Sequence, residues 1–279
     1  MVVRKARYAG TWYPGSAAEL RLSVSGFLAS AKVVALPTRP KALVCPHPGH
    51  MFGGQVTASA VAHVKGLQYK RVVLLGPVHR PIPGSRIGDF MVGIEQAFAT
   101  PLGTIPVDTD FINALARLVP LTRVQHDNEH SLEIGLPFLQ LALDSFNLVP
   151  IMLGLDMRSA DTPAQLEALA TALAQLSDED TLFVASTDLS HLDHYAEVVR
   201  IDQHLVNLVN AYDIEGLSRA LAQEEVYACG ATGLVTVMRA AQLRGATTVR
   251  VMVHINSGDI LRDRRPGTYT VGYMGAVVY

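Results

Sequence analysis

Short apolar runs rich in β-branched residues alternate along the chain with longer stretches of helical period. Ala42–Cys45, Arg71–Leu75, Leu148–Leu153, Thr181–Ala185, Thr248–His254 and Thr268–Val278 predict strands. Gln55–Val64, Asp108–Leu118, Ser131–Leu143, Pro163–Leu176, Ala196–Ala211 and Gly233–Leu243 predict helices. Ser16 followed by Glu19 has capping-box spacing, which predicts an early helix through Phe27. This alternation of strand and helix places the chain in the α/β class, with a mostly parallel or mixed central sheet and helices on both faces. No repeat, charge block or Pro/Gly/Ser-rich linker divides the sequence, so residues 1–279 read as a single domain.

Composition narrows the function classes. With 279 residues, 49% hydrophobic and 17% charged, the chain is neither disordered, nor a coiled coil, nor a small disulfide scaffold. Its 23 Lys+Arg against 25 Asp+Glu give a net charge of −2, which argues against binding nucleic acid or an anionic membrane. Cys45 and Cys229 are the only cysteines and read as thiols of a reducing cytoplasm. Residues 1–13 lack the apolar core of a secretory signal. The apolar stretch Ile134–Leu155 is broken by Pro137, Gln140, Asp144, Asn147 and Pro150, which a bilayer-spanning helix tolerates badly. The expectation is a soluble cytoplasmic protein with a small-molecule or peptide ligand.

The polar residues that follow the strands carry the chemistry. Cys-Pro-His47-Pro-Gly-His50 follows the first run, Gly-Pro-Val-His79 the second, and Ser186-Thr-Asp188-Leu-Ser-His191 the fourth. Ligands of open α/β sheets gather beyond the carboxyl ends of strands, so these loops are expected to converge on one crevice. His47 and His79, in equivalent positions, are the first candidate metal ligands. Asp188 lies three residues before His191, the arrangement wanted for a general acid/base whose ring a carboxylate orients; helix capping by Asp188 or Ser190 is the competing reading.

The stretch His126-Asp-Asn-Glu-His-Ser-Leu-Glu133 is the densest polar cluster. It caps the helix expected after it, and His130 and Glu133, three apart, share a helical face on which an acid/base or metal-orienting pair can stand. Cys229 beside Gly230 is a candidate ligand or nucleophile, with Cys45 its competitor. A Walker A motif, G-x-G-x-x-G, G-x-S-x-G, H-E-x-x-H and C-x-x-C are all absent from the sequence.

Eight ordered blocks span nearly the whole chain. They are Tyr8-Ala-Gly-Thr-Trp-Tyr-Pro14, Pro46-His47-x-Gly49, Leu75-Gly-Pro-x-His79, Asp127-x-Glu-His-Ser-Leu-Glu133, Leu136-Pro-Phe138, Ser186-Thr-Asp-x-Ser-His191, Cys229-Gly230 and Asn256-Ser-Gly-Asp259. Together they resemble the Memo family, whose bacterial and archaeal members are also called AmmeMemoRadiSam system protein B. The family is similar to class III, non-haem iron extradiol dioxygenases. The resemblance implies a metal held between loops at the sheet edge, with ligands falling on His47, His79 and Cys229. It implies an acid/base at His191 with Asp188, and places Glu129, His130 and Glu133 in the pocket lining. Pro48, His50 and Val78 depart from the family pattern, and His50 is expected to alter the pocket entrance or add a ligand.

A thiolate in place of a carboxylate is a softer ligand, suited to Cu(I), Zn or Fe. The leading expectation is one mononuclear ion, Fe(II) first with Cu or Zn as alternatives, in a redox enzyme with a dioxygenase-like site. The alternatives are a zinc-dependent hydrolase with His191 or Glu133 as base, and a non-enzymatic module that binds a peptide or small ligand in the same pocket.

Overall fold

The computed structural model describes residues 2–86, 88–125 and 127–279, so His126 of the polar cluster lies outside the described residues. In chain order its elements begin with β1 (Val3–Arg4), α1 (Ala17–Ser30), β2 (Ala42–Cys45), α2 (His50–Val61), β3 (Arg71–Pro77), β4 (Phe90–Gly93), β5 (Ala97–Thr100), β6 (Gly103–Pro106), α3 (Thr109–Leu115) and β7 (Thr122–Val124). They continue with α4 (Leu136–Ala142), β8 (Asn147–Leu153), α5 (Thr162–Leu176), β9 (Thr181–Ser186), β10 (His191–Leu192), α6 (Tyr195–Asn210), α7 (Ile214–Ala222), α8 (Ala231–Leu243), β11 (Val249–Asn256), α9 (Ser257–Leu261) and β12 (Thr270–Val278).

Among the described residues the main sheet has nine strands in the order β10-β12-β2-β9-β3-β8-β4-β7, with β11 also paired to β12. Its centre, β2-β9-β3-β8, is parallel, with Cys45 level with Ser186 and Leu75 level with Ala185 and Ile151. Antiparallel β12 and β4 flank this centre, so the sheet is mixed. The central strands are buried nearly throughout, which is why they read as continuous apolar runs rather than alternating ones. Each fully buried Leu, Ile or Val contributes about 1.5–3 kcal/mol of transfer free energy. Helices α1, α2 and α4 pack together on one side, and α8, with α5 against it, covers β2, β9 and β3 on the other. Among the described residues no helix is long and apolar enough to cross a membrane.

The expected strands and most helices are present, with shifts that have local causes. Ser16 caps α1 as its spacing requires: its Oγ accepts the Glu19 N–H at 3.3 Å and donates to Glu19 Oε2 at 2.7 Å. The helix expected from Ser131 begins only at Leu136, because Pro137 has no N–H for the interior of a longer helix and sits in the first turn. The five residues before it form turns instead, with Ser131 Oγ donating to the Pro77 carbonyl and Glu133 bound to Arg4 and Tyr13. α2 begins at His50, earlier than expected, directly after Pro48-Gly49. The short strands of segment 90–124 and the two-residue β1 carry too little periodicity to be read from sequence. β1 pairs with β5 in a separate small sheet, β1-β5-β6, which fixes the N-terminal segment beside the site.

Candidate metal centre

Because β2, β9 and β3 are adjacent and parallel, the loops that leave them emerge side by side at one sheet edge. His47 follows β2 and is almost fully buried. Its N–H donates to Asp188 Oδ1 at 2.9 Å, and its Nδ1 lies 2.9 Å from Ser186 Oγ at the end of β9. Ser186 has a single hydroxyl proton, and it donates this to the Ser131 carbonyl at 2.6 Å. Ser186 Oγ therefore accepts from His47, which places the His47 proton on Nδ1 and leaves Nε2 with a free lone pair.

His79 is fixed by a different group to the same effect. Glu129 Oε1 accepts the ring Nδ1–H at 2.9 Å and Oε2 the backbone N–H at 2.8 Å. A carboxylate only accepts, so Nε2 of His79 is also free, as in the carboxylate–histidine pairs that support metal ligands. Burial works against the ionised carboxyl of Glu129. Hydrogen bonds from His79 and the Ser131 N–H outweigh it and bring the pKa down to about 2. The Ser131 loop rests on β3 where Gly76 leaves room: a Cβ there would stand 2.5 Å from Ser131 Oγ.

His130 completes a group in which His47, His79 and His130 each bring a ring nitrogen within 4.8 Å of the others. Its ring stacks on His79, with centroids 4.4 Å apart and planes at 25°, and also packs on Trp12 at 4.6 Å and Tyr8 at 5.7 Å. His47 stands nearly perpendicular to His79, at 81° and 5.1 Å. Burial, with His79 and Arg80 nearby, lowers the His130 pKa to about 4 against the pull of Glu129, and burial beside the two other rings holds His47 well below the ordinary value. Both are neutral at pH 7, the form that binds metal.

Cys229 arrives from before α8 and lies with Sγ 3.2 Å from Nε2 of His47. One ion bonded to both atoms would set them roughly 3.1–3.6 Å apart, given metal–sulfur and metal–nitrogen lengths of about 2.3 and 2.0–2.1 Å. Sγ also lies 3.2 Å from the Asp188 N–H, which donates to it. Gly230 makes this approach possible: a Cβ there would collide with Ser186 O and stand 2.8 Å from Thr187 Cβ. Burial raises the Cys229 thiol above its ordinary pKa in the absence of a metal. Cys45 instead lies in the core, with its thiol pushed up to about 12 by burial. The three imidazoles of His47, His79 and His130 make a donor set that fits a single borderline ion, and the Cys229 thiol stands beside His47 as a softer donor.

The other sequence candidates separate into those at the site and those beneath it. His191 lies near His79, and burial of its ring and the charge of His79 lower its pKa. Its Nδ1 is held by the Leu189 carbonyl at 2.9 Å rather than by Asp188, whose carboxyl faces His47. Among the described residues the expected Asp188–His191 hydrogen bond is therefore not formed, because each group is taken by another partner. Burial raises Asp188 to about 7 against the opposing His47 N–H bond.

Glu133 is not a pocket group. Its two oxygens accept from Arg4 at 2.6 Å, Tyr13 OH at 2.7 Å and the N–H groups of Tyr8 and Arg7, so it ties the N-terminal segment down and is unavailable as a base. His50 is a correction of the same kind. It is buried, with Nε2 3.0 Å from the Ile134 carbonyl and its ring on Tyr13 and Phe138, and neither alters the entrance nor adds a ligand.

Sequence reasoning missed Arg4, Ser186 and Asp202 as supporting residues. Arg4, on β1, is buried and binds Asp127, Glu133 and the Glu129 carbonyl at once. Asp202 of α6 accepts the Ser190 N–H at 3.1 Å next to His191. It lies on the apolar stripe of Val198, Ile201, Leu205 and Val209, and a carboxylate in such a stripe was the available signal. A cleft of about 550 Å³ opens beside His79 and Cys229.

The Memo-like protein family model matches residues 4–277. A MEMO1 family protein of Thermotoga sp. is 30% identical over 291 residues, covering 99% of both chains. One from Thermotoga maritima is 32% identical over 246 residues, covering 86% of this chain and 83% of its own. One from Methanopyrus kandleri is 30% identical over 288 residues, covering 98% of both. With its length matched end to end and its histidine loops gathered at one sheet edge, the chain belongs to the Memo family.

Proposed function

We propose that this protein is a metal-dependent redox enzyme acting on a small organic substrate, with one non-haem iron, or copper in its place, held by His47, His79 and Cys229. The observation that carries this reading is the Cys229 Sγ to His47 Nε2 distance of 3.2 Å, beside a His79 whose Nε2 is freed by Glu129. His130, whose ring nitrogen lies within 4.8 Å of those of His47 and His79, is the alternative third ligand to Cys229.

When bound, iron or copper supplies Lewis acidity and one-electron chemistry. The chain's own residues do the rest. Glu129 and Ser186 hold the two imidazole tautomers, and the adjoining cleft admits substrate. His191, near His79 and held through Nδ1, has Nε2 available to exchange a proton with substrate. Glu133 is fully engaged, which removes the version of zinc hydrolysis that uses it as base.

The test is metal analysis of protein purified without oxygen, followed by oxygen uptake over a panel of catechols and other small reductants. One iron or copper per chain, lost in His47→Ala and His79→Ala, together with substrate-dependent oxygen uptake, is the expected result. Zinc occupancy with turnover that ignores oxygen would overturn the redox reading.

A further inference from the structure

The cleft beside His79 and Cys229 has an unbalanced set of charges. Five charged side chains line it: Arg80, Arg86, Arg158, Asp156 and Glu224. Both acids are already taken by one arginine. Arg158 donates to Asp156 through Nε at 3.0 Å and Nη2 at 2.6 Å, and to Glu224 through Nη1 at 3.3 Å. Arg80 and Arg86 have no carboxylate partner among the described residues. Arg80 directly follows His79, and its charge is felt at the His130 ring and at Tyr8. Away from these arginines the wall is apolar, built from Met91, Leu153, Leu155, Met157 and Val226.

A guanidinium without a partner at the rim of a concave site is a recognition group for a carboxylate or phosphate, which its fork binds through two N–H groups. We infer that the cleft binds an organic anion, its carboxylate or phosphate taken by Arg80 and Arg86, its apolar body on Met91, Leu155 and Met157, and its far end at His79 and Cys229. This rests on the proposed function in reading His79 and Cys229 as the reacting end. It adds the substrate class, a small organic acid or phosphate ester rather than a neutral molecule. Because both arginines are exposed, they also draw anions toward the cleft, and binding weakens with salt.

The test uses the full chain stripped of metal by a chelator, so that no anion binds through an ion. Binding of benzoate, phenyl phosphate and the neutral benzyl alcohol is measured by ligand-observed NMR. The anions are expected to bind about tenfold more tightly than benzyl alcohol, the scale of one charge-assisted hydrogen-bonded contact. The ratio of benzoate to phenyl phosphate affinity distinguishes carboxylate from phosphate. The double variant Arg80→Gln/Arg86→Gln should lose this preference and keep its folding and metal affinity, while Arg21→Gln, in a separate cleft, changes nothing. Equal binding of benzyl alcohol and benzoate, or unchanged anion binding in the double variant, would overturn the inference. Metal titration of the same samples separates the two readings. A wild type that takes metal but no anion sinks this inference alone, and one that binds anions through the arginines but takes no metal sinks the proposed function alone.

Discussion

Glu129 accepts both the ring N–H and the backbone N–H of His79, at 2.9 and 2.8 Å, although the two residues lie 50 positions apart. One carboxylate thus sets the place, the orientation and the tautomer of a candidate ligand. Glu129→Gln, with an amide that must donate at one side, is expected to weaken metal affinity by about 10–100-fold while the fold persists. Competitive titration with a chromophoric chelator measures this; wild-type affinity in the variant would show that the pair does not support a ligand.

His130→Ala and Cys229→Ala separate the two donor sets that share His47 and His79. On the proposed ligand set, Cys229→Ala should lose metal and His130→Ala should retain it at near wild-type affinity. With Co(II) as the probe, the thiolate charge-transfer absorption should vanish only in Cys229→Ala. The opposite pattern would assign the site to three histidines.

Gly230→Ala inserts a methyl against Ser186 O and Thr187. The chain must shift, which is expected to cost about 1–3 kcal/mol of stability and to move Cys229 away from His47. Urea denaturation reads the first effect and the Co(II)–thiolate band the second. An unchanged band would mean that Cys229 does not depend on the close approach at Gly230.

Arg4→Ala removes the guanidinium from a buried group in which Arg4 bonds Asp127 at 2.8 Å and Glu133 at 2.6 Å. Leaving those carboxylates without a partner is expected to cost about 3–5 kcal/mol. The loss should reach the site, because the Glu129 carbonyl and the Tyr8 and Tyr13 contacts depend on the same cluster. Equilibrium unfolding together with metal titration tests both, and a destabilisation below 1 kcal/mol would contradict the role given to Arg4.

Asp188 gives the metal-free protein a pH dependence of definite sign. Its folded-state pKa, raised to about 7 by burial, lies above the ordinary 3.8. Folding therefore takes up a proton: its stability contribution is greatest below pH 4, falls as pH rises toward 7, and is fully lost above that. Asp188→Asn keeps an acceptor for the His47 N–H but carries no charge. It should match the wild type near pH 4 and exceed it at pH 8 by on the order of 1–3 kcal/mol. Parallel stability curves at the two pH values would refute the assignment.

The sequence alone determined the central strands, because a parallel strand buried on both faces must be apolar at nearly every position, as Val72–Leu75 and Leu182–Ala185 are. It also determined that His47, His79 and Asp188 sit where strands end, since the change from apolar to polar residues marks that boundary. Tertiary structure decided which groups meet. The strand order β2-β9-β3 brings three loops edge to edge, and with it Ser186 to His47 across 139 positions and Cys229 to His47 across 182. It sent His50 into the core and committed Glu133 to Arg4 and Tyr13, although both look like pocket residues in the sequence. Periodicity encodes how one segment turns its faces toward apolar and polar surroundings. A hydrogen bond between distant loops depends on how strands are ordered in the sheet, and no local pattern carries that order.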